Sequence, residues 1–579
     1  MSKFNTVTPK GESWVWLSAM GIVTALLMVF AVLSLIAYEG ISVFWPRNVV
    51  QFEVAAQDKI GQNNIITGEI ADERLKKLVS GSKEDPTKEE TQIYIANKDV
   101  YGMSFRWFDS EKVKNLTEPK SVMSMERREH SRVLALPRSI KKADGTVINF
   151  ADKTFQSEFD RLLHEAEDKH YKIISLTKGP IRDIVEEIKD LEVDAFVLEK
   201  TAKKAFLKNR NFAAITDPAQ KTAVLKEMEQ VMKAASADIR KTIDRKNKET
   251  EVYTTQTDAL GKEIQLNSFT YQLGSGEVKT EPFGNIVHYY YPNQLGLADK
   301  VSLFTGNIWR FLANDPREAN TEGGVFPAII GTLIMTILMC IFVTPLGVIA
   351  AIYLREYAKQ GTVVRMVRIA INNLAGVPSI VFGAFGLGFF IYKVGGSIDD
   401  LFYSDWVDAG NGAVFKTGGI LWASLTLALM TLPVVIVATE EALAAVPKGL
   451  REGAIGCGAS KWQMIRTVIL PASAPGIITG MILAMARGAG EVAPLMLVGV
   501  IKLAPELPID MAFPFGLEMK FMHLGFHIYD LGFQSPDSEA AQPMVFATTL
   551  LLIVIVGLLN MAGIIIRQRL KKRYATSAF

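Results

Sequence analysis

Residues Gly418–Ala438 read GGILWASLTLALMTLPVVIVA, twenty-one positions without a charged side chain. A helix needs about 20 largely apolar residues to cross a bilayer core, so this stretch places the chain among membrane-spanning proteins. Working outward, five more apolar stretches stand at Trp14–Tyr38, Val325–Leu354, Ser379–Val394, Ala474–Ile501 and Met544–Ile566. The sequence therefore predicts six spans, the third short and glycine-rich. Trp14–Tyr38, preceded by Lys3 and Lys10, begins like a signal peptide. Its apolar run is too long and no small-residue cleavage site follows, so it reads as an uncleaved signal anchor.

Charged residues make up 21% of the chain and the net charge is +2, but the charge is concentrated between Glu53 and Arg317. No basic block is long enough for nucleic-acid binding. Cys340 and Cys457 stand far apart, with neither metal-ligand spacing nor a disulfide framework. Basic residues follow the second span (Arg355, Lys359, Arg365, Arg368), the fourth (Lys448, Arg451, Lys461, Arg466) and the sixth (Arg567, Arg569, Lys571, Lys572, Arg573). The excess of Lys and Arg on cytoplasmic ends places all three clusters, and both termini, in the cytoplasm. Residues 41–321 then form a periplasmic domain inserted between helices 1 and 2, flanked by the anchor at 1–40 and a permease core at 322–579.

An insert of that length must fold on its own. Gln92–Phe108 and Glu251–Tyr291 read as strands, the latter broken by Gly261, Gly274 and Gly276. Between them, Phe155, Phe159, Leu162, Leu163 and Ala166, and then Leu225, Met228, Met232, Ala235 and Ile239, recur at helical spacing. The expectation is a β-rich base with a helical hairpin projecting outward, packed within one molecule. Val301–Leu312 has the pattern of a short interfacial helix with Trp309 at headgroup depth, or of the last helix of the insert.

Between the fourth and fifth spans, residues 440–471 leave and re-enter the membrane through Arg451–Gly476, REGAIGCGASKWQMIRTVILPASAPG. A short helix over Leu450–Ile455, a turn at Gly456 and Gly458, and a second helix over Ser460–Leu470 ended by Pro471 make a compact unit able to sit in a partner's groove. In the fifth stretch, Arg487 and Glu491 lie four apart, close enough to pair on a helix. Intramembrane ionisable groups are costly and usually functional. They read as an anion path, with Arg487 meeting the substrate and Glu491 restraining it, or as a structural lock between helices. No phosphate-binding GxxxxGK[ST] loop is present; GSGEVKT at Gly274–Thr280 has the wrong spacing. His523 and His527 read as part of an interfacial helix, and Asp399 and Asp400 as a solvated loop.

The loop resembles the coupling loop of ABC import permeases, in which Glu-Ala-Ala, a glycine four residues on and Ile-x-Leu-Pro recur at fixed spacing. Glu452, Gly453 and Ala454 fill the triplet, Gly458 the glycine, and Val468 to Pro471 the end, with Gly453 and Val468 departing conservatively. EALAAVPKGLREGA, RGAGEVAPL and NNLAGVPSIVFGAFGLGFF further resemble the PstA family of phosphate importer permeases, over about residues 322–573. The resemblance implies an all-α polytopic membrane core of six helices, of the type I importer kind, carrying an α+β periplasmic domain in the bacterial inner membrane. It implies translocation of inorganic phosphate, a sister permease PstC, two copies of the ATPase PstB, and the periplasmic binding protein PstS. It implies no cofactor in this chain, with ATP and Mg held by the ATPase, and assigns transport to Arg487 and Glu491 and a helix break to Pro378 and Ser379. Family members have a much shorter first external loop. Another oxyanion or small solute, or a periplasmic scaffold or sensor anchored in the membrane, are the alternative readings.

Overall fold

The computed structural model describes residues 13–54, 63–75, 89–208, 218–504, 506–510, 514–535 and 537–575; Lys3 and Lys10 lie outside them. Among the described residues, six helices are long and apolar enough to cross a membrane: Trp16–Ser42, Phe326–Tyr357, Ser379–Phe402, Ile420–Ala444, Lys461–Gly488 and Ser538–Lys572. The fourth is the central one. Its Trp422, Leu427 and Val435 are buried with Met335, Met339 and Val343 of the second. The first packs along the sixth, where Gly40 lies against the Phe546 carbonyl and Leu550.

All six spans shift at one end or both, and the third and fifth differ most from their expected bounds. The third runs on past Val394 through widened turns at Gly386–Gly395 to Phe402. Asp399, expected in a solvated loop, is buried on its last turns, where its carboxylate accepts the backbone N–H groups of Val414, Phe415 and Lys416 at 3.1, 2.8 and 2.9 Å. The fifth begins at Lys461 and stops at Gly488 rather than spanning Ala474–Ile501. Pro471 does not end the loop helix. A widened turn at Ile465–Ile469 absorbs the missing N–H, and the helix continues through Leu470–Gly488.

Between the first and second apolar helices lies an α+β region. Strands β1 (Val49–Glu53), β2 (Ile65–Leu75), β3 (Glu89–Tyr94), β4 (Phe105–Asp109) and β5 (Lys114–Thr117) pair in the order β4-β3-β2-β1-β5. A second sheet joins β6 (Met123–Arg127), β7 (Val133–Lys141), β8 (Val147–Asn149), β9 (Ser268–Gln272), β10 (Val278–Pro282) and β11 (Ile286–Tyr290) in the order β10-β9-β7-β6-β11, with β8 on β7. The alternation of a half-buried strand is clearest in β9, where Phe269 and Tyr271 face inward between Ser268, Thr270 and Gln272. Phe159 closes this core with its ring 5.0 Å from both Phe269 and Phe283.

A helical hairpin rises from that core. One arm is Phe155–Leu176 and Arg182–Lys208, kinked at Gly179–Pro180; the other is the long helix Pro218–Leu266. The second arm takes in Glu251–Leu266, the first part of the Glu251–Tyr291 stretch expected to be strand and broken at Gly261. Tyr253, Thr257, Leu260 and Ile264 instead recur on one half-buried helical face, and the strands begin at Ser268. Between the arms the seam holds Met228, Met232 and Ser236; Ser236 Oγ donates to Glu199 Oε1 at 2.6 Å, and Leu225 is exposed. The hairpin does not project outward. Lys200 Nζ meets Asp405 Oδ1 at 2.8 Å and Asp408 Oδ2 at 3.0 Å in the turn after the third span, so the hairpin lies along the permease helices' insert end.

Candidate translocation site

At the opposite end of the helices, Lys448–Gly456 forms the first helix of the loop, starting two residues before the expected Leu450 and ending one after Ile455. Gly458 turns the chain with φ +83, while Gly456 stays helical. Ser460 then caps the next helix reciprocally with Gln463, whose backbone N–H reaches Ser460 Oγ at 3.3 Å while Ser460 N–H reaches Gln463 Oε1 at 2.8 Å. Ala454 and Leu470 pack on a buried cluster of Leu354, Val364, Leu443 and Ile465, which fixes the loop to the core. Glu452 and Gly453 are exposed, beside exposed Leu450, Ile455 and Trp462. Arg451 pairs with Glu356, and Arg368 Nη2 lies 3.2 Å from Glu440 Oε1, so the basic clusters after the second and fourth spans meet at this end.

The depth of Arg487 follows from helix packing. Gly476 lies against Ala442 and Gly480 against Ala438, so the fourth and fifth helices run antiparallel in contact. Eight further residues at about 1.5 Å rise each carry Gly488 about 12 Å on, level with Met430 in the middle of Ile420–Ala444. Gly488 also touches Met339, near the midpoint of the second span. The helix therefore stops halfway across. The remaining depth is covered by Ala489–Pro494 and a single turn, Leu495–Val498, a broken span of the kind tolerated only where protein or water lines it. Gly383 and Gly386 of the third span allow this segment in: a Cβ on Gly383 would stand 2.7 Å from Pro494 Cα, and one on Gly386 2.9 Å from Val498 Cγ1.

Arg487 and Glu491 are brought together at the break, Arg487 Nε 3.7 Å from Glu491 Oε1, with side chains 37% and 21% exposed. They do not share a continuous helix, as the four-residue spacing suggested; the chain turns between them. Pro378 stands at a helix break, as the N-cap residue of the third span, separating Thr362–Leu374 from Ser379–Phe385. Its helix reaches the broken span through Gly383. His523 and His527 are buried, not interfacial: His523 Nδ1 accepts the Phe526 N–H at 3.3 Å, and its ring packs near Val492 beside the break. Asp530, fully buried in the same return loop, pairs with Lys502 at 3.0 Å and accepts from Asn320 at 3.0 Å. No local pattern marks Asp530; its partners come from distant parts of the chain.

Residues 343–576 match the family model described as binding-protein-dependent transport system inner membrane component. The phosphate transport system permease protein PstA 1 of Mycobacterium tuberculosis (strain CDC 1551 / Oshkosh) is 33% identical over 245 residues, 42% of this chain and 71% of that protein. The chain belongs to this permease family, with the PstA type. PstA of Mycobacterium leprae is 38% identical over 178 residues, 31% of this chain and 52% of that protein. The probable ABC transporter permease protein YqgH of Bacillus subtilis is 34% identical over 199 residues, 34% of this chain and 60% of that protein. The chain thus spans about half to three fifths of these last two relatives. Among solved structures, inward-facing conformations of the MetNI methionine ABC transporter are similar at 20% identity, covering 43% of this chain and 94% of that one, with a TM-score of 0.31. The chain is a multi-pass membrane protein of this permease family, and the six apolar helices are its membrane part.

Proposed function

We propose that this PstA-type permease carries inorganic phosphate across the bacterial inner membrane by alternating access, with both termini and the 440–471 loop in the cytoplasm and residues 41–321 in the periplasm. The supporting observation is mechanical: Lys461–Gly488 is one continuous helix from the exposed loop to the mid-depth break beside Arg487. A displacement applied near Trp462 moves Arg487 as part of the same rigid element, over about 40 Å at 1.5 Å per residue. The ATPase PstB, present in two copies and holding ATP and Mg, docks on the exposed residues of this loop, among them Leu450, Glu452, Ile455 and Trp462. Arg487 attracts the anion at a depth where an unpaired charge is expensive. Glu491, 3.7 Å away, competes for the guanidinium and lets the anion leave. The sister permease PstC supplies the other half of the path, and the binding protein PstS delivers phosphate at the insert end.

Complementation of phosphate-starved cells lacking this gene tests the substrate. Wild type is expected to restore phosphate uptake. Failure with all partner subunits present, together with restored sulfate uptake, assigns the path to another oxyanion.

A further inference from the structure

A cavity of about 620 Å³ lies where the inserted domain meets the ends of the first and sixth apolar helices. Leu35 and Glu39 reach it from the first helix, and Met544 and Phe546 from the sixth. Asn307 and Arg310 reach it from the amphipathic helix Leu297–Ala313, which leaves Trp309 70% and Val301 47% exposed. An exposed Trp beside the ends of two spans sets the cavity at headgroup depth.

Its walls carry both signs of charge, and some of that charge is matched within the protein. Arg132 pairs with Glu69 at 2.7 Å, Lys98 with Asp537 at 3.4 Å, and Arg317 with Glu126. Four lining groups are left over. Arg310 bonds the Asn307 side chain, and Arg47 donates to the Ile70 and Ala71 carbonyls at 3.2 Å, but among the described residues neither has a carboxylate partner. Glu39 and Asp72 likewise have no cation partner among the described residues. Burial pushes the Arg310 pKa below its ordinary value, with Glu126 pulling the other way. Glu69, 5% exposed, and Glu322 each keep one buried carboxylate oxygen without a hydrogen-bond donor. Arg47 and Asp72 are exposed, Arg310, Glu39 and Glu322 half-buried and Glu69 buried; unmatched charge is costly at the buried members, and a ligand carrying a phosphate, a primary ammonium and an apolar tail would match the whole set.

We propose that this cavity binds an aminophospholipid of the phosphatidylethanolamine class, its phosphodiester at Arg47 and Arg310, its ammonium at the carboxylates, and its acyl chains along Leu35, Met544 and Phe546. A headgroup held there bridges the inserted domain to two helices and fixes the domain to the membrane surface. The site is independent of which solute the permease carries.

Native mass spectrometry of the full-length chain, purified with its membrane partners and exchanged into defined lipid, tests this. Wild type is expected to retain phosphatidylethanolamine about tenfold better than phosphatidylglycerol or phosphatidylcholine. Arg310→Gln and Glu39→Gln are each expected to cut that preference about tenfold. The wild-type lipid competition stands alone if either variant fails to fold. Equal or better retention of phosphatidylglycerol overturns the proposal. So does displacement of the lipid by equimolar glycerophosphoethanolamine, which has the same headgroup without acyl chains.

Discussion

Gly458 gives a direct test of the loop. Its φ of +83 lies in the left-handed region, while a Cβ built there meets nothing within 4 Å. A side chain at this position therefore strains the backbone without a clash. The left-handed conformation costs an ordinary L-residue roughly 1–2 kcal/mol, and more for a β-branched one, but little for Asn. The turn joins two helices fixed on either side, by Ala454 packing and by the Ser460–Gln463 cap, so the strain falls on the conformation the ATPase must grip. A cost of about 1–2 kcal/mol lowers the docking-competent population about 5- to 30-fold, and the apparent ATPase affinity with it. Titration of purified ATPase onto reconstituted permease measures this. Gly458→Val is expected to weaken docking at least tenfold while membrane insertion is unchanged, and Gly458→Asn to stay within about twofold of wild type. Wild-type docking by the Val variant, or an Asn variant as impaired as Val, refutes the backbone explanation.

Glu491→Gln removes the partner that competes with substrate for Arg487; a partly exposed pair is worth up to about 1 kcal/mol. Half-saturating phosphate should fall by up to about fivefold in uptake assays with maximal uptake reduced, and unchanged values would make Glu491 structural. Lys200→Cys with Asp405→Cys, in a Cys457→Ser background, should be joined by a short bis-maleimide, because the parent side chains touch at 2.8 Å; absence of linkage would detach the hairpin from the permease. Burial, the largest cause, pushes the Glu322 carboxyl up to about 7. Its folded pKa is raised, so its contribution is full below about pH 4.5 and lost as pH rises through about 7, by roughly 1–3 kcal/mol. Thermal melts of wild type should show that loss, and Glu322→Gln should flatten it; parallel pH profiles would contradict it.

The six spans were legible because apolar length is a local property, and the loop because its residues turn and cap within a few positions. The break in the fifth span was not. Ala489, Val492, Ala493 and Leu495 keep the stretch apolar across it and mask the break, which falls at Gly488 and Gly490 ahead of Pro494. For the same reason Arg487 and Glu491 were paired correctly on the wrong geometry. Pro471 misled in the other direction, since a widened turn can carry a helix past a proline. Glu251–Leu266 was expected to be strand, but Tyr253, Thr257, Leu260 and Ile264 recur at helical spacing on one half-buried face. The burial of Asp399, His523 and His527 depends on chain returning from elsewhere, which no local pattern records. The contact of the hairpin with the permease is made by Lys200, which pairs with Asp405 and Asp408 some 200 residues away.

Uptake of radiolabelled phosphate into proteoliposomes, with ATPase, sister permease and binding protein added to wild type or Arg487→Ala, most directly tests Arg487 as the anion's contact in the membrane. ATP-dependent phosphate accumulation by wild type, and its loss in an Arg487→Ala complex that still assembles and hydrolyses ATP, is the expected result. Near-normal uptake by Arg487→Ala would contradict it and leave the Arg487–Glu491 pair as a lock between helices.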